Sequence, residues 1–149
     1  MKRLYYHSPL GWIAVEQRQN SVSSLRLVSA KPAEDILLKK NSPLFKQLQA
    51  YFQKRKKAFS VRLRISGTPF QNRVWKALRG VAYGRTASYG QIARRLGKTK
   101  SVRAVARAIG QNPCAILVPC HRVIGSDGSL TGYAYGLRKK AWLLEHESR

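Results

Sequence analysis

Acidic side chains are scarce in this sequence. Six Asp and Glu stand against twenty-nine Lys and Arg in 149 residues, which leaves a formal charge of +23. A folded chain tolerates that self-repulsion most easily when it meets a polyanion, and nucleic acid is the first candidate. No single tail carries the excess: fourteen basic and three acidic residues lie up to Gly67, fifteen and three beyond it. A solubility surface would show the same imbalance, so the motifs must decide. Cysteine is sparse as well. Cys114 and Cys120 share one stretch with a single histidine, His121, beside them, which excludes a disulfide framework and a four-ligand zinc site and leaves packing or chemistry. Long apolar runs are missing: none approaches the roughly 18 residues of a membrane span. The start, Met1-Lys2-Arg3-Leu4-Tyr5-Tyr6, lacks the apolar stretch and cleavage site of a signal peptide, so a cytoplasmic protein is expected.

What is present suffices for a core. A 44% hydrophobic fraction with scattered Trp, Tyr and Phe fits one compact unit or two small subdomains. Short apolar runs broken by turns, Leu4-Tyr5-Tyr6, Trp12-Ile13-Ala14-Val15 and Leu25-Arg26-Leu27-Val28, predict a three-stranded antiparallel meander. Leu44, Leu48, Tyr51 and Phe52 recur on one face of a helix entered through Ser42-Pro43, which should cover the meander. Phe59, Val61, Leu63 and Ile65 alternate with polar residues, the period of a strand with one buried face. Ser66-Gly67-Thr68-Pro69 breaks that pattern and sets a boundary between residues 1–67 and 68–149.

Beyond the boundary the pattern turns helical. Phe70, Val74, Ala77 and Leu78 share a face that stops near Gly80; a second helix follows from Ser88 with Tyr89, Ile92, Ala93 and Leu96, ended by Gly97. Lys98-Thr99-Lys100 then links tightly to a third helix from Ser101, whose buried stripe should be Val102, Val105, Ala106 and Ile109, with Lys100, Arg103 and Arg107 projecting away. This is helix-turn-helix spacing, although an ordinary helical hairpin with a solvated charged side shows it too. Ala115-Ile116-Leu117-Val118 reads as a buried strand or extended segment, and Leu137, Ala141 and Leu144 mark a last helix. The fold class is therefore α+β, a small antiparallel or mixed sheet with a helix followed by a helical subdomain.

The chemistry should sit at Pro119-Cys120-His121-Arg122-Val123. A free thiol, with a pKa near about 8.5, is only slightly ionised at neutral pH, so a nucleophilic cysteine needs a base or positive surroundings. His121 and Arg122 follow directly. Adjacent side chains on an extended segment point apart, and a bridging water is the simplest link between Cys120 and His121. A carboxylate from Glu145 or Glu147 could orient the histidine, giving a Cys-His-Glu relay. The ordinary fate of a lone cysteine is to pack as a small hydrophobe, which is the expectation for Cys114.

Pro119-Cys120-His121-Arg122-Val123 resembles the active-site signature of the O6-alkylguanine-DNA alkyltransferases, the methylated-DNA–protein-cysteine methyltransferases. The resemblance continues through Phe70-Gln71-Asn72-Arg73-Val74-Trp75, Tyr83-Gly84-Arg85-Thr86-Ala87-Ser88-Tyr89, Arg103-Ala104-Val105, Asn112-Pro113, Gly132-Tyr133 and Trp142-Leu143-Leu144-Glu145-His146-Glu147. The first 67 residues share only length and a strand-helix pattern with that family.

The resemblance implies an N-terminal subdomain with a ribonuclease H-like outline and a winged-helix-like C-terminal one. It implies a protein that flips an O6-alkylguanine out of double-stranded DNA and moves the alkyl group irreversibly to Cys120, once per molecule. His121 is the implied base, Glu147 its partner, and Asn112 a brace for the turn. Tyr89 is implied to act at both the target phosphate and the flipped base, and Arg103 to fill the vacated stack, with Ser88, Lys100 and Arg107 on the DNA side. The implied alkylguanine pocket comprises Arg122, Val123, Tyr133, Ala134 and Tyr135, the last standing where many relatives carry a small residue. No cofactor is implied. Zinc-binding relatives use N-terminal Cys and His, whereas this chain has only His7 there, so no metal is expected. A monomer is expected. A relative of this family without the cysteine, or a plain helix-turn-helix binder, would bind DNA without transfer.

Overall fold

The alternation of apolar runs and turns at the start of the chain produces the expected meander. β1 (Lys2–Ser8), β2 (Gly11–Arg18) and β3 (Ser21–Val28) pair antiparallel in sequence order. The structure, a computed structural model, describes residues 2–30, 36–97 and 101–149. Its two units are Met1–Ile65 and Ser66–Arg149.

In the first unit Tyr6, Ile13 and Leu27 stand in register, as do Leu4, Val15 and Leu25, so one sheet face is apolar. Gln19 and Asn20, both at positive φ (51° and 65°), close the β2–β3 hairpin in the twist-compatible sense. α1 (Pro43–Phe52) covers the apolar face: Leu44, Leu48 and Tyr51 are buried, and the Tyr6 ring lies 5.2 Å from Phe45 and 6.3 Å from Phe52. Ser42 caps this helix by accepting the Phe45 N–H, with Pro43 in its first turn. The strand expected over residues 59–65 shrinks to β4 (Arg62–Leu63), parallel to β3. The alternation survives as half-buried Phe59, Val61, Leu63 and Ile65 between exposed polar residues. The ladder does not, because Ser60 N–H donates to the Gln47 side chain and the Phe59 ring packs on Tyr51.

In the second unit α2 (Pro69–Arg79) starts in a capping box. Thr68 Oγ1 accepts the Gln71 N–H while Gln71 Oε1 accepts the Thr68 N–H. Val74, Trp75 and Leu78 are buried, and Trp75 Nε1–H donates to Ala108 O at 2.8 Å, tying α2 to α4 (Val102–Gly110). α3 (Tyr89–Arg95) repeats the capping box with Ser88 and Gln91. Gly97, at φ +69°, ends its last turn, where a left-handed residue is easiest for glycine. The tight link Lys98-Thr99-Lys100 lies outside the described residues. β5 (Ala87–Ser88) pairs parallel with β6 (Val123–Ile124), and α5 (Leu137–Glu147) closes the unit. No helix described is long and apolar enough to cross a membrane.

Three expectations are corrected here. The buried stripe of α4 is Val105, Ala108 and Ile109, while Val102 and Ala106 are only half-buried; Ala106 faces a cavity instead of the core. Residues 115–118 are buried but form a turn, not a strand: Val118 N–H donates to Cys114 O, and Ile116 sits at φ +71°. The buried face of α5 is Lys140, Leu143, His146 and Glu147, with Leu137 47% exposed, because polar partners on that side outweigh hydropathy.

Thr68 is exposed, so its hydroxyl stabilises α2 through the cap and not through packing. Thr68→Ala should lower stability by about 1 kcal/mol and Thr68→Ser should restore it. Urea unfolding of both variants measures this.

Candidate active site

The turn that delivers the cysteine is held by one amide. Asn112, buried, donates from Nδ2 to Val118 O (2.8 Å) and Cys114 O (3.3 Å) and accepts the Cys114 N–H at Oδ1 (2.9 Å). These bonds hold Ile116 in its left-handed conformation, which costs a β-branched residue about 1–2 kcal/mol. Cys114 is wholly buried with both backbone groups bound to Asn112, the packing role expected of it.

Cys120, His121 and Arg122 form a single 3-10 turn rather than an extended segment. His121 is completely buried. Its Nε2 lies 2.8 Å from Glu147 Oε2, while its Nδ1 has no protein partner. Burial pulls the His121 pKa down against the pull of Glu147, so the ring is neutral, Nε2–H donates to the carboxylate, and Nδ1 keeps a free lone pair. Glu147 is also gripped by Arg122, from Nε at 2.7 Å and Nη2 at 3.0 Å. Burial would raise the carboxyl pKa, but the hydrogen bonds and positive charge opposite it hold it down at about 2. Arg122 Nη1 donates to Val81 O at 2.7 Å.

A cavity of about 190 Å³ opens over the sulfur, lined by Tyr89, Ala106, Asn112, Cys120 and the loop Gly132 to Tyr135. Burial pushes the Cys120 thiol up, opposed by the Asn112 amide and the Lys140 charge, so the resting group is a thiol that needs a base. Tyr89 Oη donates to Thr131 O at 2.7 Å. Gly132 sits at φ +63°, a left-handed conformation that favours glycine, and a Cβ there would stand 3.4 Å from Tyr89 Oη, an ordinary contact distance. Tyr133 lines the cavity with its hydroxyl buried and without a protein partner, and burial keeps it a neutral donor. The Tyr135 ring meets Tyr133 edge-on at 5.5 Å.

Of the residues singled out in the sequence, Cys120, Asn112, Tyr89, Tyr133, Ala134 and Tyr135 meet at this cavity, with His121 and Glu147 behind the cysteine. Arg122, expected at the pocket, instead serves Glu147, and Val123 is buried in β6; neither lines the cavity. Arg103 and Arg107 are exposed on α4, and the Ser88 hydroxyl caps α3 by accepting the Gln91 N–H. Lys100 lies outside the described residues. Among the described residues no three His, Cys, Asp or Glu side chains cluster to hold a metal.

Lys140 escaped the sequence reading. It is wholly buried, and its Nζ donates to Thr131 O and Gly132 O, both at 3.0 Å, and sits 5.8 Å from the centre of the Tyr89 ring. Hydropathy places a lysine outside. The available signal was geometric: with Glu147 facing His121, counting back four and seven residues puts Leu143 and Lys140 on the same face.

Residues 69–149 match the DNA-binding domain of 6-O-methylguanine DNA methyltransferase, and residues 1–65 match its ribonuclease-like domain. The chain belongs to this methyltransferase family. It is 41% identical over 148 residues to a methylated-DNA–protein-cysteine methyltransferase of Methanosarcina acetivorans, covering 95% of each chain. A Mycobacterium tuberculosis methyltransferase of the same name is 54% identical over 101 residues, 68% of this chain and 61% of that one. The solved O6-methylguanine methyltransferase of M. tuberculosis superposes with a TM-score of 0.87 at 41% identity over 98% of this chain and 92% of that one, and the M. tuberculosis OGT solved in complex with DNA with 0.89 at the same identity and coverage. The α+β architecture and its two parts are those of the methyltransferase family.

The Glu147 cluster ties stability to pH. His121, lowered below its ordinary 6.5, contributes stability that is present above that value and lost as pH falls. Glu147 adds stability present above 4.5 and lost as pH falls toward about 2, on the order of 3 kcal/mol. Denaturation midpoints should therefore drop on acidification from pH 7, and in Glu147→Gln the acid-dependent loss below pH 4.5 should be smaller on a lower baseline. Unfolding of both proteins across pH measures it.

Proposed function

We propose that Cys120 takes the alkyl group from the O6 atom of a damaged guanine in DNA and that the protein repairs one lesion per molecule. The observation that carries this reading is a buried thiol at the floor of a small cavity beside a neutral histidine whose Nδ1 lone pair is free and whose other nitrogen is held by Glu147. The thiol proton passes to His121 Nδ1 through a bridging water, and Glu147 stabilises the imidazolium that forms. The thiolate sulfur attacks the alkyl carbon; the S–C bond forms as the C–O6 bond breaks, its electron pair going to the guanine. The departing base takes up one proton and returns to guanine. Tyr133, a buried donor without a protein partner in the cavity wall, is the group placed to stabilise charge on that base, and Tyr89 joins it by giving up its bond to Thr131 O. Lys140 holds the loop carbonyls and favours the thiolate by its charge. A thioether does not hydrolyse, so the cysteine is spent.

The reacting carbon is inside the stack of a duplex, and extrusion costs a few kcal/mol. Exposed Arg103 on α4 is suited to fill the gap and Arg107 to bind phosphate, with Tyr89 at the start of α3 turning the target phosphate. The solved DNA complex of a relative supports DNA as the substrate. In this reading residues 68–149 carry both DNA contact and transfer, no metal or cofactor takes part, and the protein works as a monomer in the cytoplasm.

Incubation with DNA containing O6-methylguanine should leave the Cys120 peptide heavier by one methyl group, with a stoichiometry of one. Cys120→Ser should bind the DNA and acquire nothing; a methyl group mapped to Cys114 would overturn the assignment. Tyr135, against Tyr133 in the cavity wall, should limit larger adducts. Tyr135→Gly should raise the rate with O6-benzylguanine relative to O6-methylguanine DNA by roughly 10- to 200-fold. Single-turnover rates on the two substrates give the ratio.

A further inference from the structure

The cavity is lined by residues of the second unit, but the first unit carries nearly half of the basic residues, and the chain holds no acid between Asp35 and Asp127. The strand register shows where part of that charge goes. One sheet face is apolar and lies under α1; the opposite face carries Ala14 beside Arg26, Glu16 beside Ser24, and Arg18, Ser21 and Arg62 side by side on β2, β3 and β4. Arg64 follows two residues after Arg62, its N–H bound to Val22 O, and so projects on the same side. Arg18, Arg26, Arg62 and Arg64 are all exposed around the small, buried Ala14, Ser21 and Ser24, while toward β1 the same face carries Arg3, Tyr5, His7, Trp12 and Val28, with the His7 and Trp12 rings 4.7 Å apart. The one acid there, Glu16, is already paired with Arg3 at 2.9 Å. Four arginines thus stand on a sheet face with no carboxylate left to answer them among the described residues.

Such an arrangement is unusual for a mere solvent face, because a soluble surface intersperses both signs. Arginine can bind phosphate bidentately; Arg18 and Arg62 flank Ser21 two strands apart, roughly 10 Å, with Arg64 two residues beyond Arg62 and Arg26 farther along β3, so several such forks face one polyanion. We infer that the outer face of the N-terminal sheet is a second nucleic-acid contact surface, binding backbone phosphates without regard to sequence or damage. Its ligand class follows from the DNA reading above, but the surface does not depend on the alkyl-transfer site.

The test uses the full chain and an undamaged duplex, with the slope of log affinity against log salt as readout. Each phosphate contact contributes about 0.9 to that slope. Changing Arg18, Arg26, Arg62 and Arg64 together to Gln should flatten it by about 2 to 4, and changing the same four to Lys should largely keep it. A control with Lys40, Lys46, Lys54 and Arg55 changed to Gln removes equal charge from exposed positions away from this face and should flatten it by less than about 1. Equal flattening in the two Gln sets, or none in the sheet set, overturns the inference. In the unmutated chain, NMR amide signals of Arg18, Arg26 and Arg62 should shift on titration with the duplex; shifts confined to α3 and α4 would also overturn it. Transfer from free O6-benzylguanine should be unchanged in the sheet variant, and its failure in the unmutated chain would sink the proposed function while leaving the sheet surface standing.

Discussion

The buried carboxylate of Glu147 is the interaction on which the site depends. Moving a charge out of water costs several kcal/mol, and here the cost is offset only because Arg122 grips the carboxylate with two nitrogens and His121 donates to it. That triad joins the end of α5 to the 3-10 turn of Cys120, and the remaining Arg122 donor reaches Val81 just beyond α2. Removing one partner would leave a buried charge unanswered. The same bonds set the chemistry: with Nε2 committed to Glu147, the basic lone pair of His121 can only be Nδ1.

Two other polar devices hold the pocket to that frame. Asn112 closes the turn before the cysteine with three bonds, and Lys140 clamps the Thr131 and Gly132 carbonyls from α5. Both use buried polar groups bonded to backbone carbonyls, so they fix geometry where an apolar core would only fill space. Between them the loop bearing Tyr133 and Tyr135 and the turn bearing Cys120 are tied to α4 and α5, rigid elements of the same unit.

Acids are few, and those described are spent locally. Glu147 serves the site, Glu16 pairs with Arg3, Asp127 bonds Ser129 in its turn, and Glu145 pairs with Arg149. Most of the positive charge is left uncompensated on the surface, which makes the bare protein self-repelling and a phosphate backbone its natural counterion.

The sequence by itself determined the meander, α1 and the succession of helices in the second unit, because periodicity, the Ser42-Pro43 entry and glycine stops are local signals. It also carried the identity of Cys120, His121, Asn112 and Tyr89 through motif resemblance. Only the tertiary structure decided which face of α5 is buried, since the reason is the partners of Lys140 and Glu147, distant in sequence and invisible to hydropathy. It likewise decided that Arg122 belongs to Glu147 and not to the pocket, because a charge beside a cysteine can point either way until a turn fixes it. The strand expected at 59–65 survives only as β4, and the strand or extended segment expected at 115–118 is a turn, for a common reason: an apolar run shows burial, but only partners in space decide whether its backbone joins a ladder or closes a turn.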